Sequence, residues 1–268
     1  MRKLLIIFSV CFCLASVIAQ AQPSVALRKK YFLIAHRGGI INNINTENSR
    51  PAIEAAIRKG YYMVEVDLRL TQDSVLIIQH DPTFKRYYGV DKPVSSMTWE
   101  AISKLRSSRG GSKVLSFENV LRICKGRIQL MIDNKIRGMD TVLFTRLITL
   151  LRKYGLLDHA LMIGTAASTP FFTGKIKLSC TRDQLENNMK KPNYSPSDYY
   201  LFGTPEDISR SDIEWARKNN IQVVAVINRF RYYGKKDPVH MAEDDIHSMI
   251  NKGVTYFQID SEFDAPFF

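Results

Sequence analysis

Residues 61–67 of this 268-residue chain read YYMVEVD, an apolar run that carries two carboxylates at its end. Short apolar runs of this kind recur along the chain, at 31–35, 75–79, 127–133, 159–164, 198–203, 221–227 and 254–259. A weaker candidate, 175–179, lies within the poorly periodic stretch 166–197. Continuously apolar runs of this length are typical of strands that are covered on both faces. The sequence therefore predicts a largely parallel sheet.

Segments with helical periodicity lie between these runs, at 48–59, 98–106, 116–125, 140–154, 205–219 and 239–252. Strand–helix alternation over about 240 residues predicts a single α/β domain. That length suits a (β/α)8 barrel, which typically has about 250 residues. A doubly wound open sheet is the structural alternative. Residues 81–115 form a polar excursion between the run at 75–79 and the next helix.

The composition indicates a globular chain, because 45% of the residues are hydrophobic and 24% are charged. These values exclude a disordered or collagen-like chain. Lys and Arg total 38 against 26 Asp and Glu, a net charge of +12. This excess is compatible with nucleic acid, an anionic membrane or a phosphate-bearing substrate. We expect no nucleic-acid partner, because no nucleic-acid-binding module accompanies the charge. The sequence does not indicate an oligomeric state.

The N-terminus has the layout of a secretory signal peptide over residues 1–21. Arg2 and Lys3 precede an apolar run, Leu4–Ile18, and Ala19-Gln20-Ala21 forms a small-x-small cleavage site. The alternative, a transmembrane anchor, is disfavoured because the run is shorter than the ~20 residues that a bilayer requires. We expect export to the periplasm or the extracellular space, with residues 22–268 as the mature domain and no transmembrane segment in it.

The mature chain would retain two cysteines, Cys124 and Cys180, since Cys11 and Cys13 lie in the predicted signal peptide. In an oxidising compartment the two could form a disulfide. Two buried thiols in a domain of this size are an equally good interpretation.

His36 and Arg37 directly follow the apolar run 31–35. Functional groups of α/β barrels and sheets lie at the carboxyl ends of strands. Histidine transfers protons near neutral pH, and arginine can bind two oxygens of a phosphate. The alternative interpretation is a turn with a surface His-Arg pair.

Glu65 and Asp67 are two positions apart on a predicted strand, so their carboxylates project from the same face. Burying two unpaired carboxylates is costly, and a bound cation would offset that cost. Oxygen ligands favour Ca²⁺ or Mg²⁺. The alternative is a salt bridge with Arg69 or another basic side chain.

Two further polar pairs end apolar runs, His80-Asp81 after 75–79 and Asp133 with Lys135 at the end of 127–133. His80 would add a second proton-transfer group, and Asp81 could orient an imidazole or simply open a turn before a proline. Asp133 and Lys135 could equally form an ordinary ion pair at a strand end. Four such pairs, each ending a predicted strand, favour a common site over surface decoration.

The chain resembles the glycerophosphodiester phosphodiesterase family in five ordered motifs, His36-Arg37-Gly38, Glu47-Asn48, Glu65-x-Asp67, His80-Asp81 and Asp133-x-Lys135. The resemblance implies a TIM-type barrel over the mature chain, with a small insertion after the second strand at about 81–115. It also implies metal-dependent hydrolysis of a glycerophosphodiester to an alcohol and sn-glycerol 3-phosphate.

The resemblance assigns roles residue by residue. His36 and His80 match the general acid/base pair, Glu65 and Asp67 match two ligands of Ca²⁺ or Mg²⁺, and Asp133 stands where the family usually has a third, glutamate ligand. Arg37 matches the phosphate-binding arginine and Lys135 the lysine after the third ligand. Glu47 and Asn48 fall in a segment that supports the first histidine.

Besides Asp133, the chain departs from the family pattern at three places. Thr46 and Ser49 replace the usual proline and threonine around Glu47-Asn48, and 221–229 lacks a tryptophan common in the seventh strand. These departures motivate a second hypothesis, a secreted barrel that binds phosphodiesters or headgroups without cleaving them. A third is a phospholipase D-like lyase that forms a cyclic phosphate. Four tyrosines in predicted strand-end loops could contact a quaternary amine or could be ordinary surface or core residues: Tyr87, Tyr88, Tyr232 and Tyr233.

Overall fold

The computed structural model describes residues 30–268. The predicted signal peptide, its cleavage site and Cys11 and Cys13 lie outside the described residues. Among the described residues no helix combines the length and the hydropathy needed to cross a bilayer.

Eight parallel strands close into a barrel, which confirms the predicted (β/α)8 fold. They are β1 (Phe32–Ala35), β2 (Met63–Leu70), β6 (Gln129–Asn134), β7 (Leu161–Ile163), β8 (Lys177–Cys180), β9 (Tyr199–Gly203), β10 (Gln222–Ile227) and β11 (Tyr256–Ile259). Strand β1 pairs with both β11 and β2, so the sheet has no open edge in this ring. This closure excludes the open doubly wound sheet.

The structure describes ten α-helices, of which those with eight or more residues cover the outside of the barrel. The ten are α1 (Arg50–Lys59), α2 (Lys85–Tyr88), α3 (Trp99–Ser103), α4 (Phe117–Cys124), α5 (Thr141–Lys153), α6 (Thr169–Phe172), α7 (Arg182–Met189), α8 (Arg210–Lys218), α9 (Arg229–Tyr232) and α10 (Pro238–Asn251). Side-chain N-caps define the starts of most longer helices, as at Ser49, Ser116 and Asp140. The predicted helix at 205–219 begins later, at Arg210, behind the capping box of Ser209.

The stretch 166–197 contains more structure than its sequence pattern indicates. Strand β8 lies within two residues of the predicted 175–179. Helix α7 follows it and has no counterpart among the predicted helices. This helix buries only two of its eight residues, Leu185 and Asn188, so it lacks the apolar periodicity by which a helix is recognised in sequence.

The predicted strand at 75–79 is confirmed, and it lies outside the ring of eight parallel strands. Strand β3 (Leu76–Ile78) is antiparallel to the upper half of β2. Only five residues separate the two strands, whereas a parallel crossover requires about a dozen or more. The chain therefore rises along β2 and returns along β3.

The excursion at 81–115 packs beside this hairpin. It contains a short antiparallel pair, β4 (Thr83–Phe84) with β5 (Val90–Pro93), and helices α2 and α3. It has a small apolar core of its own around Ile77, Phe84 and Ile102. This core fixes the position of the segment that follows His80.

The side chains of β2 alternate between two apolar layers. Val64, Val66 and Leu68 belong to the large core between barrel and helices. Met63 faces the barrel interior, together with residues such as Ile34 and Tyr200. Because successive strand side chains alternate in direction, Glu65 and Asp67 share the interior face with Met63. Both carboxylates therefore point into the barrel interior, with Asp67 nearer its carboxyl end.

Cys124 and Cys180 are both free and buried, so the two-thiol interpretation holds and the disulfide does not form. Burial raises the pKa of Cys124 to about 12 and that of Cys180 to about 11.

Candidate active site

Three carboxylates meet at the carboxyl edge of β2 and β6. The strands pair in a register that sets Asp67 beside Asp133, and oxygens of Glu65, Asp67 and Asp133 all lie within 4.8 Å of one another. Glu65 and Asp67 are each only 1% exposed. Three clustered carboxylates, two of them almost fully buried and the third, Asp133, partly exposed, fit the oxygen-rich ligand set of Ca²⁺ or Mg²⁺.

The protein itself neutralises only part of this negative charge. Burial raises the pKa of Glu65 well above its usual value, and the neighbouring Asp67 and Asp133 raise it further. Burial also raises the pKa of Asp67, but Lys135, His80 and the Asn48 amide lower it more strongly, so the net shift is downward. Glu65 is therefore the carboxylate that most needs an added cation to remain ionised.

Lys135 supplies the nearest positive charge. Its Nζ lies 2.6 Å from Asp133 and 3.1 Å from Asp67. Arg69, considered from sequence as a partner of the carboxylates, instead donates to the backbone carbonyls of Gln79 and His80. The salt bridge of this cluster is thus made by Lys135, while Arg69 holds the end of β3 against β2.

His36 begins a 3-10 turn directly after β1. Its Nδ1 lies 2.8 Å from Asp260, the residue directly after β11. Burial raises the pKa of Asp260, but the hydrogen bond and charge of His36 bring the net shift below its usual value. An ionised Asp260 holds Nδ1–H and leaves Nε2 toward the site, where it lies 3.4 Å from the Asn228 amide nitrogen.

His80 reaches the same edge by the return of the β2–β3 hairpin. The Gln79 amide donates to the carbonyl of Asp67 at 2.8 Å, so the following imidazole lies at the level of the carboxylates. Its Nδ1 lies 2.8 Å from Asp81, and its Nε2 lies 3.0 Å from an Arg37 guanidinium nitrogen. Since a guanidinium only donates, His80 accepts at Nε2 and is neutral. Burial lowers its pKa, and the nearby cations Arg37 and Lys135 lower it further, against the opposing effects of Asp67 and Asp81.

Arg37 connects the first turn to the rest of the site. Its backbone is left-handed, with φ of 51°, an unusual conformation for a non-glycine residue. In this conformation its amide donates to Glu65 at 2.7 Å, and its guanidinium contacts both His80 and Glu47. Its buried Nε has no hydrogen-bond partner among the described residues.

Glu47 and Asn48 hold Arg37 and Asp67 in position through hydrogen bonds. Asn48 donates through its amide to Asp67 at 2.7 Å and through its backbone to the carbonyl of Arg37 at 2.8 Å. Glu47 is 4% exposed and pairs with Arg37 and with Arg86 of α2. Burial raises its pKa against the lowering effect of both arginines. A Cβ at Gly38 would lie 2.7 Å from the Cα of Asn48, so this approach requires glycine.

A cleft of about 460 Å³ opens beside His36 and Arg37. Its walls include Arg86 and Tyr87 from the excursion and Phe230 and Tyr233 from the segment after β10. Of the four tyrosines considered for amine contact, Tyr87 and Tyr233 line this cleft. Tyr232 is buried, and Tyr88 packs edge-on against Phe84.

The structure brings all ten sequence-predicted residues to one edge of the barrel. It adds Asp260, Asn228 and Arg86, which the sequence analysis did not select. Asp260 and Asn228 each directly follow a strand, which is the same signal that selected His36. Arg86 lies on the four-residue helix α2, and no local pattern marks it.

The fold and the site together define a (β/α)8 barrel protein in which three carboxylates that could hold a metal ion lie beside two histidines. Residues 36–156 match the sequence model of the glycerophosphoryl diester phosphodiesterase family. This segment is thus similar to the family that the motifs of the chain predicted.

The sequence similarity to an individual curated relative covers a short part of both chains. Human lysophospholipase D GDPD1 is 35% identical over 75 residues, which is 27% of this chain and 23% of the human protein. The chain thus spans less than a quarter of that relative's length.

Solved structures extend the likeness in fold to most of the chain. A glycerophosphoryl diester phosphodiesterase from Parabacteroides distasonis has a TM-score of 0.72 and 20% identity and covers 90% of both chains. A phosphodiesterase from Oleispira antarctica, solved with the product sn-glycerol-3-phosphate, has a TM-score of 0.66 and 14% identity, with 87% of this chain and 93% of that one covered.

Proposed function

We propose that the protein hydrolyses glycerophosphodiesters to an alcohol and sn-glycerol 3-phosphate. The observation that carries this proposal is the pair of histidines, each bound at Nδ1 by a carboxylate, beside the cluster of three acidic side chains. A pure binding protein has no need of two imidazoles held in this way. The match of residues 36–156 to the glycerophosphoryl diester phosphodiesterase family model supports the same activity.

Glu65, Asp67 and Asp133 would hold a divalent cation, Ca²⁺ or Mg²⁺. When bound, this cation would supply Lewis-acid stabilisation of the phosphate. Asn48 keeps Asp67 in place through its hydrogen bond of 2.7 Å. Lys135 limits the repulsion among the carboxylates, and with Arg37 it adds positive charge where charge develops on the phosphoryl oxygens.

The two histidines would divide the proton transfers. One takes a proton at Nε2 from the attacking hydroxyl or water, and the other donates a proton from Nε2 to the leaving alcohol. Asp260 and Asp81 fix which nitrogen is available by accepting from Nδ1. The neutral state of His80 suits a proton acceptor before the reaction begins.

Activity can be measured as glycerol 3-phosphate release by residues 22–268, first with EDTA and then with Ca²⁺ or Mg²⁺ restored. The panel should include glycerophosphocholine, glycerophosphoethanolamine and glycerophosphoinositol. It should also include a lysophospholipid, because the human relative is named a lysophospholipase D; for this substrate the readout is release of the headgroup alcohol, since the phosphate-bearing product keeps its acyl chain. Detection of a cyclic phosphate would identify the lyase route. Intact diesters with every metal would contradict the proposal.

His36→Ala and His80→Ala should each lower kcat by at least ~10²-fold, the lower range for lost acid/base catalysis. His247→Ala is a matched control, because His247 is exposed on the outer helix α10. Near-normal turnover in either active-site variant would refute its role, provided that the metal-dependent parent activity is present.

We also propose that the protein is exported, with cleavage after Ala21. The proposal rests on the basic, apolar and small-x-small pattern of residues 1–21. N-terminal sequencing of the protein recovered from the cell exterior or periplasm should begin at Gln22. Recovery of an uncleaved chain from the cytoplasm would contradict it.

A further inference from the structure

The segment that follows β10, residues 229–239, presents aromatic side chains to solvent from a fixed position. We call it the rim segment. Its Tyr232 points inward, donates to Asp245 at 2.9 Å and packs edge-on against Phe263. Its neighbours point outward, so Phe230 is 64% and Tyr233 is 86% exposed. The rim segment therefore holds two large aromatic groups in water at the mouth of the cleft.

Exposed apolar side chains are concentrated at this end of the barrel. Seven lie on segments or first helical turns that follow strands at the carboxyl edge, namely Ile44, Met139, Val142, Phe230, Tyr233, Val239 and Met241. Among the described residues only one other large apolar side chain is exposed, Met189 at the end of α7. Single exposed apolar groups are normal, but their confinement to one face indicates an interaction surface.

The charge of the rim segment is positive, with four basic residues and one acidic residue. Arg229 pairs with Glu262, and Arg231 pairs with Glu206 and Asp245. Lys235 and Lys236 are exposed and form no ion pair with residues 30–268. Two lysines beside two exposed aromatics fit an anionic lipid surface, where aromatic rings lie at the interface and ammonium groups bind headgroup phosphates.

We propose that the rim segment docks the protein on an anionic lipid surface. Phe230 and Tyr233 enter the interfacial region, and Lys235 and Lys236 contact the phosphates. The core of a protein interface is depleted in lysine, so this mixture favours a lipid partner. Because the two aromatics also line the cleft that contains His36 and Arg37, docking holds the site against the phosphodiesters of that surface. The docking itself requires no catalysis.

Sedimentation with vesicles measures this docking directly. Residues 22–268 should bind vesicles that contain phosphatidylglycerol more strongly than vesicles of phosphatidylcholine alone, and salt should weaken the difference. The double variant Phe230→Ser/Tyr233→Ser should reduce the partition coefficient at least about tenfold, because it removes two aromatic groups from the interface. Lys235→Glu/Lys236→Glu should abolish the preference for the anionic vesicle.

Met189→Ser is the matched control, since it removes an exposed apolar side chain from the opposite end of the barrel, and it should bind like the parent. Circular dichroism identifies any variant that fails to fold. Absence of vesicle binding by the parent would overturn the proposal, as would equal binding by the control and the aromatic variant. Vesicle binding is scored without turnover, so failure of the proposed hydrolase activity leaves this result readable.

Discussion

Replacing Asp260 by asparagine removes the carboxylate that holds His36 and changes little else in the volume of the site. The bond joins Asp260 Oδ1 to His36 Nδ1 at 2.8 Å, and the second oxygen accepts from the Arg229 amide at 2.6 Å. A hydrogen bond to a charged group contributes about 1.5–3 kcal/mol. If that contribution is present in the transition state, its loss corresponds to about 10- to 150-fold in rate.

The assay is kcat for glycerol 3-phosphate release at saturating metal. Asp264→Asn provides a control four residues away, because Asp264 binds Lys59 and Tyr61 and contacts no site residue. We expect Asp260→Asn to lose kcat with a small change in Tm and Asp264→Asn to lose Tm with a small change in kcat. Full kcat in Asp260→Asn would refute the view that this carboxylate positions the imidazole.

Three further predictions concern the metal cluster, the thiols and the first turn. Glu65→Gln should lose the stabilisation that Ca²⁺ or Mg²⁺ gives the parent, about 2.7 kcal/mol at 100 times Kd, which is seen as a rise in Tm. The metal-free Tm should not fall, because the raised pKa of Glu65 favours its neutral form without metal and glutamine is a neutral side chain of similar shape. An unchanged metal response in differential scanning fluorimetry would contradict this. Burial raises the pKa of Cys124 to about 12 and that of Cys180 to about 11. Both thiols should therefore react slowly with Ellman's reagent at pH 8, faster as the pH rises, and fully only after unfolding. Rapid labelling of the native protein would count against their burial. Gly39→Ala places a Cβ 2.2 Å from a backbone carbonyl oxygen of α1 and should lower the free energy of unfolding by at least about 3 kcal/mol. Gly60→Ala, also at positive φ but in open space, should lower it by about 1 kcal/mol. Equal urea midpoints for the two variants would show that the clash relaxes.

Local pattern was sufficient for seven of the eight barrel strands, whereas β8 was only a weak candidate at 175–179. Runs such as 61–67 and 221–227 are apolar throughout because both faces of a barrel strand are covered, and that property is visible in sequence. The same pattern identified the strand at 75–79 but not its direction, since apolarity reports burial and not strand direction. Only the five-residue connection to β2 indicated that this strand returns antiparallel.

The sequence by itself determined the residue types of the site and their position at strand ends. Glu65 and Asp67 share a face because a strand repeats every two residues, and this relation needs no tertiary structure. His36 and His80 were recognised in the same way, from the strand that precedes each of them.

The tertiary structure alone decided which groups touch. Asp260 lies 224 residues from His36 along the chain, and only closure of the barrel between β1 and β11 joins them. Arg86 reaches Glu47 because the excursion packs on its own small core. Local periodicity carries no information on such contacts, because they depend on strand order and register, which are set by the packing of the whole chain.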